Sequence, residues 1–409
     1  MSVFAIYVGA LLTKPRIVPP ARPPISGQNG FPLLKVATDK VVRDKDVSSA
    51  VAASSEKKWT LQRKRELVAA NGAAIIATRN ALSFPYAEET HAVSIDDPLP
   101  HYKKFRHMAR VLVLAGDVAW EEGKQREAVD YYLDAITIGR RVPHRTNLIG
   151  RLVGIACEAI GRRAIWDRLE RMDTNTTAHC LRRLEALQME RLPFSVTLEE
   201  EKYFVQSWAI KAMEDPDRFL EAFNDGSTAT EQDKTMHQVI SVYGRVVPRK
   251  YVADTLGQHM DKVIAQSKKP YIKSNQEIPV PKEIYTAIIV PVINQARLKF
   301  VYNETGDALL RTALALRLYE ARHGKYPTHL SELVVAKLLS TVPDDPFDMP
   351  GVSLHYGLPS TGKYLLYSVG PDGVNDGGKG IESKGASGTP SRVVTLDGKG
   401  DMVAGWYRY

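Results

Sequence analysis

The residues best suited to chemistry lie in one loop, 367–378, with the sequence YSVGPDGVNDGG. It holds two aspartates, one asparagine and four glycines, directly after an apolar run typical of a strand. Calcium prefers carboxylate, amide and carbonyl oxygens, and glycine turns expose carbonyls readily. A plain turn, in which Asp and Gly serve only backbone geometry, explains the same residues. The loop lacks the D-x-D-x-D-G run and closing Glu of an EF-hand.

Other chemical signatures are missing from the sequence. It contains no C-x-x-C or H-E-x-x-H zinc motif, and residues 30–283 contain no nucleophile elbow, P-loop or dinucleotide fingerprint. Asp344, Asp345 and Asp348 could be paired carboxylates of the kind that hydrolases use. Pro346 favours a turn instead, so no catalytic residue is predicted. An enzyme with an unrecognised site in the helical region remains the alternative.

Composition narrows the class of protein. The chain has 409 residues and a formal net charge of +8, but its basic clusters also carry acids, as solvated helix faces do. No nucleic-acid partner is therefore expected. Cys157 and Cys180 are interpreted as small buried hydrophobes, with their pairing left open.

The sequence of residues 1–30 predicts a membrane anchor followed by an extended tether. An apolar run at 2–12 is too short to span a bilayer, which takes roughly 20 residues. We interpret it as part of a truncated membrane anchor, with a short buried helix or strand as the alternative. The proline-rich stretch 13–30 that follows is typical of an extended spacer.

Residues 31–283 predict a helical domain. One helix is expected over 56–82, with Leu61, Leu67, Ala70, Ala74 and Ile75 at helical spacing. Further along, two helices carry small and aromatic residues at the spacing of a tetratricopeptide repeat: Gly116, Ala128, Tyr132 and Ala135. Two helices approach closely only where small residues face each other. No second copy follows, so a single repeat-like hairpin within a helical-hairpin array is predicted; any tight helical hairpin explains the spacing equally well.

Residues 284–409 predict a small α+β domain. An apolar-periodic helix over 284–324 comes first, and its buried stripe is expected to contain Ala308, Ala313, Ala315, Leu316, Leu318 and Tyr319. Thr328 is expected to cap a short helix over 328–334. Strands are predicted at 363–369 and 391–396. The overall class is thus mainly α, followed by a long helix with a short antiparallel sheet.

This C-terminal part resembles the globular head of the type II secretion major pseudopilin and of type IV pilin-like proteins. The shared marks, in order, are Val290-Pro291, ALRLYEARHGKYP at 315–327, DPF at 345–347, YLLYSVGPDG at 364–373, and Asp401 shortly before Trp406. The whole chain is similar to uncharacterised proteins of planctomycete-type bacteria. It departs from the family because 1–283 precede the helix and no prepilin-peptidase motif opens it, so we expect no polymerisation as a pilin subunit.

The resemblance implies a calcium site after the YSxGPDG strand. Asp372 and Asp401 match the family's acids, Asp376 is an additional carboxylate, Asn375 offers an amide oxygen, and Ser368 is a weaker candidate. It also implies a non-enzymatic protein of the bacterial cell envelope, on the periplasmic face of the inner membrane or exported. Its expected partners are proteins of secretion or pilus-like machinery.

Overall fold

A computed structural model describes residues 11, 13–42, 44–51, 59–88, 100–215, 231–272, 278–360, 363–381, 383–384, 390–391 and 398–405. The chain is mainly helical and carries a small antiparallel sheet near its end, so the predicted fold class is confirmed at this level. The described helices are α1 Gly30–Asp39, α2 Asp44–Val51, α3 Leu61–Ala70, α4 Gly72–Ala81, α5 Pro100–Glu121, α6 Gln125–Arg141, α7 Leu148–Trp166, α8 Thr174–Met189, α9 Phe194–Glu214, α10 Glu231–Val246, α11 Arg249–Ser267, α12 Ile284–His323 and α13 Ser331–Val335. The described strands are β1 His355–Ser360, β2 Lys363–Ser368, β3 Ser383–Lys384, β4 Pro390–Ser391 and β5 Met402–Val403.

The single helix expected over 56–82 is divided in two. Asn71 stands between α3 and α4, and its buried side chain accepts the amide of Val42 at 2.9 Å and donates to the Leu67 carbonyl at 2.9 Å. Asparagine competes with the helix for backbone groups in this way. Of the residues at helical spacing, Leu67, Ala74 and Ile75 are buried and Ala70 is exposed.

The predicted close hairpin is present in α5 and α6. A Cβ on Gly116 would lie 2.3 Å from the Tyr132 ring and 2.9 Å from the Ala128 carbonyl, so only glycine fits there. The next contact, between α6 and α7, is equally close, because Gly139 and Gly154 face each other's carbonyls. The structure therefore confirms tight packing at the predicted residues, while the repeat itself stays a resemblance.

The long helix α12 packs on the helices before it. It contacts α7, α8, α9 and α11, and one cluster of buried apolar residues runs from Leu34 in α1 to Met402 in β5. All six residues expected in its buried stripe are buried. The helix ends at Gly324, whose φ of 72° suits glycine.

A buried ionic network joins α12 to α6 and α7. Asp307 lies 3.1 Å from Arg140, 3.4 Å from Arg311 and 3.6 Å from Arg191. Glu158 on α7 binds Arg140 at 3.1 Å and Arg191 at 3.4 Å. Burial alone would raise the pKa of Asp307, but the surrounding arginines outweigh it and hold that pKa at about 2.

The proline-rich stretch before α1 forms no helix or strand, but it is held against the helical domain by ion pairs and hydrogen bonds. The Arg22 guanidinium pairs with Glu200 on α9 at 2.8 Å and donates to the carbonyls of Glu88 and Arg145. Lys14 pairs with Glu214, near the other end of α9, at 2.7 Å. The predicted apolar anchor at 2–12 lies outside the described residues except for Leu11.

The sheet has the order β1–β2–β5 and is antiparallel throughout. His355 pairs with Tyr367 across β1 and β2, and Tyr367 pairs with Val403 on the other side. The strand expected at 391–396 lies outside the described residues apart from Ser391, which pairs within the small β3–β4 ladder.

Two smaller expectations are also resolved. The short helix α13 begins at Ser331, and it is Glu332, not Thr328, that satisfies the chain before it, by accepting the amides of Thr328 and His329 at 2.7 and 3.0 Å. Cys157 and Cys180 are buried free thiols.

Among the described helices, none is both long and apolar enough to cross a membrane.

Candidate metal centre

The Asp-Pro turn is fixed by one buried carboxylate, that of Asp345. Its Oδ1 accepts the Ser368 hydroxyl at 2.6 Å and the Phe347 amide at 3.0 Å, while Oδ2 accepts the Val369 amide at 2.8 Å. Burial raises the pKa of Asp345, and these hydrogen bonds oppose the rise. The carboxylate ties the turn to the end of β2, which confirms the turn predicted for these acids.

Asp345 also belongs to a group that could hold a metal ion. Ligand atoms of Asp345, Asp348 and His355 all lie within 4.8 Å of one another. His355 Nε2 is 3.3 Å from Asp348 Oδ2, and both side chains are half-buried. No sequence motif points to His355, because only the strand register brings it beside the turn.

Asn375 connects this group to the glycine-rich loop. Its Oδ1 accepts the Gly377 amide at 2.9 Å and the Tyr367 hydroxyl at 3.0 Å, so its Nδ2 faces His355 Nδ1 at 3.4 Å. With Asn375 Nδ2 donating to Nδ1, a neutral imidazole would carry its proton on Nε2, on the side of Asp348. The His355 ring also stacks on Tyr367, at a centroid distance of 5.1 Å.

The loop itself folds around Asp401. This carboxylate is completely buried, and it accepts the amides of Asp376 at 3.2 Å and Gly378 at 2.6 Å. Burial raises its pKa, these backbone hydrogen bonds oppose the rise, and the carboxylates of Asp376 and Asp372 raise it further. Asp401 thus lies in the negative field of both loop aspartates.

Asp372 also links the loop to the terminal segment. Its Oδ1 accepts the Val374 amide at 3.3 Å and its Oδ2 accepts the Gly400 amide at 3.4 Å. Gly370 passes so close to the Gly400 carbonyl that a Cβ there would lie 2.4 Å from the oxygen. The loop and the terminal segment are therefore in direct contact.

The donor types of this loop fit a hard cation. Asp372, Asp376 and Asp401 repel one another electrostatically, and a divalent cation would relieve that repulsion. Asn375 Oδ1 already accepts two hydrogen bonds, and the Ser368 hydroxyl donates to Asp345 and accepts the Gly370 amide at 3.2 Å. These two residues therefore serve the loop's own structure here. Among the described residues, the group whose ligand atoms all lie within 4.8 Å of one another is that of Asp345, Asp348 and His355, and the three loop carboxylates do not converge to that distance.

Comparisons with protein-family models, with curated proteins and with solved structures gave no match to this chain.

Proposed function

We propose that this is a non-enzymatic protein of the bacterial cell envelope whose C-terminal part binds calcium and whose helices bind a protein partner. The observation that carries the calcium proposal is the folding of the loop around Asp401, with Asp372 and Asp376 in its electrostatic field. The proposed ligands are these three carboxylates together with carbonyls of the glycine turns. Asn375 and Ser368 position the loop.

Calcium would link two segments that are distant in sequence and adjacent in the fold. Asp372 and Asp376 precede the terminal segment, and Asp401 belongs to it. The pairing of β5 with β2 follows immediately at Met402. A cation shared by these carboxylates stabilises the edge of the sheet, since it binds the folded arrangement only.

Calorimetric titration of the full chain with calcium tests this. We expect one site, a raised melting temperature with calcium, and a return to the lower value with chelator. Asp372→Asn and Asp401→Asn should each weaken calcium binding at least tenfold, because a carboxylate ligand is lost. Asp348→Asn is the matched control, since it removes an acid from the neighbouring group only.

Three results would contradict the calcium site: no binding heat, an unchanged melting temperature, or equal loss in the Asp348→Asn control. If Asp348→Asn and His355→Ala abolish binding while Asp401→Asn does not, the ion belongs to the Asp345 group. Nitrogen in that group suits zinc better than calcium, so zinc is titrated in parallel.

The envelope role is supported by the resemblance of residues 284–409 to pseudopilin heads. We propose a partner in type II secretion or pilus-like machinery. Crosslinking in envelope fractions, with the wild-type chain and with Asp401→Asn, measures whether such a component is captured and whether capture needs the calcium loop. Capture of no pilin-like or secretion component by the wild-type chain would overturn this part.

A further inference from the structure

A cleft of about 550 Å³ lies between the helices and the Asp-Pro turn. Its walls come from the start of α9, the end of α11, one face of α12 and residues 344–350. This volume is in the range of small-ligand sites. None of the calcium-loop residues lines it.

One wall offers hydrogen-bond donors to an anion. Helix α9 begins at Phe194, and Pro193 before it supplies no side-chain cap. The first amides of a helix lack intrahelical acceptors and carry partial positive charge. Ser195 is only 7% exposed, lines the cleft, and makes no side-chain hydrogen bond to any residue in the described part of the chain.

Basic side chains also line the cleft. Lys268, Lys269 and Arg297 line the cleft, and Arg297 is held by donating to the Lys269 carbonyl at 2.8 Å. Behind the start of α9, Arg151 donates to the Thr197 hydroxyl at 2.9 Å, with its guanidinium 5.2 Å from the centre of the Phe300 ring. Such a field favours a carboxylate.

Acids also line the cleft. Glu304 lies on α12 seven residues after Arg297, which is about 10 Å along a helix, and Asp344 and Asp348 come from the turn. Burial raises the pKa of Glu304, with nearby arginines opposing the rise. No hydrogen bond from any described residue reaches its carboxylate. These acids accept N–H groups and repel a small polyanion.

Apolar rings line the cleft as well, and along α12 Phe300 lies between Arg297 and Glu304. Phe194 and Phe300 stack with ring centroids 5.1 Å apart, and Tyr271 lies beside them under Arg297. A ligand that satisfies all three surfaces needs an anion at one end, an apolar group in the middle and N–H donors beyond it.

We propose that the cleft binds the carboxyl end of a peptide chain. The terminal carboxylate binds the start of α9, Ser195 and the cations, an apolar side chain rests on Phe194 and Phe300, and peptide N–H groups face Glu304. This names the chemistry of the protein partner proposed above and rests on that proposal for its biological meaning. Peptide binding itself requires no calcium.

The test is calorimetric titration of the full chain, in chelator, with the tripeptide Ala-Phe-Ala. We expect the free-carboxylate peptide to bind, its C-terminal amide to bind at least tenfold more weakly, and inorganic phosphate not to compete. Ser195→Ala and Lys269→Ala should each weaken binding about three- to tenfold. Lys262→Ala is the matched control, because Lys262 is an exposed lysine of α11, seven residues before Lys269, and does not line the cleft.

The proposal is overturned if the tripeptide does not bind, if the amide binds as tightly, if phosphate competes, or if Lys262→Ala causes the same loss as Lys269→Ala. Because chelator is present throughout, failure of the calcium site leaves this measurement unchanged. Failure of peptide binding likewise leaves the calcium titration interpretable.

Discussion

At the scale of single residues, Glu201 shows what burial does to a carboxyl group. It lies on α9 and its Oε2 accepts the Leu148 amide, at the start of α7, at 2.7 Å. Burial raises the pKa of Glu201 to about 7, although that hydrogen bond opposes the rise. The side chain satisfies a helix end at the cost of being difficult to ionise.

This makes stability depend on pH in a definite direction. The native carboxyl keeps its proton up to about pH 7, whereas the unfolded chain releases it near pH 4.3. Between these values the native state binds more protons, so the free energy of unfolding falls as pH rises, by up to about 3 kcal/mol. Glu201→Gln keeps the acceptor and should remove this decline.

Urea unfolding at pH 5, 6, 7 and 8 measures the effect, with Glu199→Gln, an exposed neighbour, as the control. The stability curve of Glu201→Gln should be flatter than those of the wild type and the control. Parallel curves for all three proteins would show that Glu201 ionises normally.

At the scale of elements, the contact between α12 and the helices before it depends on Asp307. Its carboxylate faces three buried arginines, Arg140, Arg191 and Arg311. Asp307→Asn removes one buried charge and leaves the guanidinium groups less compensated, which should cost about 3–5 kcal/mol. Asp254→Asn breaks only the exposed pair with Lys250 and should cost about 0.5 kcal/mol.

Urea unfolding at pH 7 measures the stability cost of Asp307→Asn against that of Asp254→Asn. A second readout is acid stability: the pKa of Asp307, held at about 2, lies below its unfolded value near 3.9. The carboxylate therefore contributes stability above about pH 4 that is lost as pH falls toward 2, and Asp307→Asn should lack that part of the acid transition. Equal costs for the two substitutions would contradict a stabilising network.

Sequence patterns within one segment predicted the helices well. The features that they did not predict depend on contacts with residues far away in the sequence. The stripe of α12 followed from helical periodicity, and the fit of Gly116 against Tyr132 followed from the spacing of small residues. The break at Asn71 depends on its bond to Val42, far along the chain. A pattern confined to one segment holds no information on such a partner.

The same reason limits the candidate site. The loop and the acid of the terminal segment could be named from motifs, because both lie in short recognisable runs. His355 could not, since its place beside Asp348 follows from the pairing of β1 with β2. The cleft was equally hidden, because its walls come from four separate segments.

At the scale of the whole molecule, residues 284–409 share their core with the helices before them. The partners of Asp307 and Arg311 include Arg140 on α6, Arg191 just after α8, and Glu185 on α8, which binds Arg311 at 2.6 Å. An isolated 284–409 fragment would expose these charges and the apolar face of α12. We therefore expect it to lack a cooperative unfolding transition.

Circular dichroism melting of the fragment and of the full chain measures this directly. The full chain should unfold in one transition with the fragment's signal included. A fragment that unfolds cooperatively at its own midpoint would establish residues 284–409 as an independent domain, with the boundary predicted at residue 283.

The docked proline-rich stretch has a mechanical consequence. Its two ion pairs hold it to α9 at two points, Arg22 at Glu200 and Lys14 at Glu214, the last residue of the helix. The Lys14 pair is exposed and weak, whereas the Arg22 pair is largely buried, and Arg22 also donates to two carbonyls. We therefore expect a pulling force on the N-terminal side of this stretch to break the Lys14–Glu214 pair at a lower force than the Arg22–Glu200 pair, so that the stretch detaches from α9 in two steps.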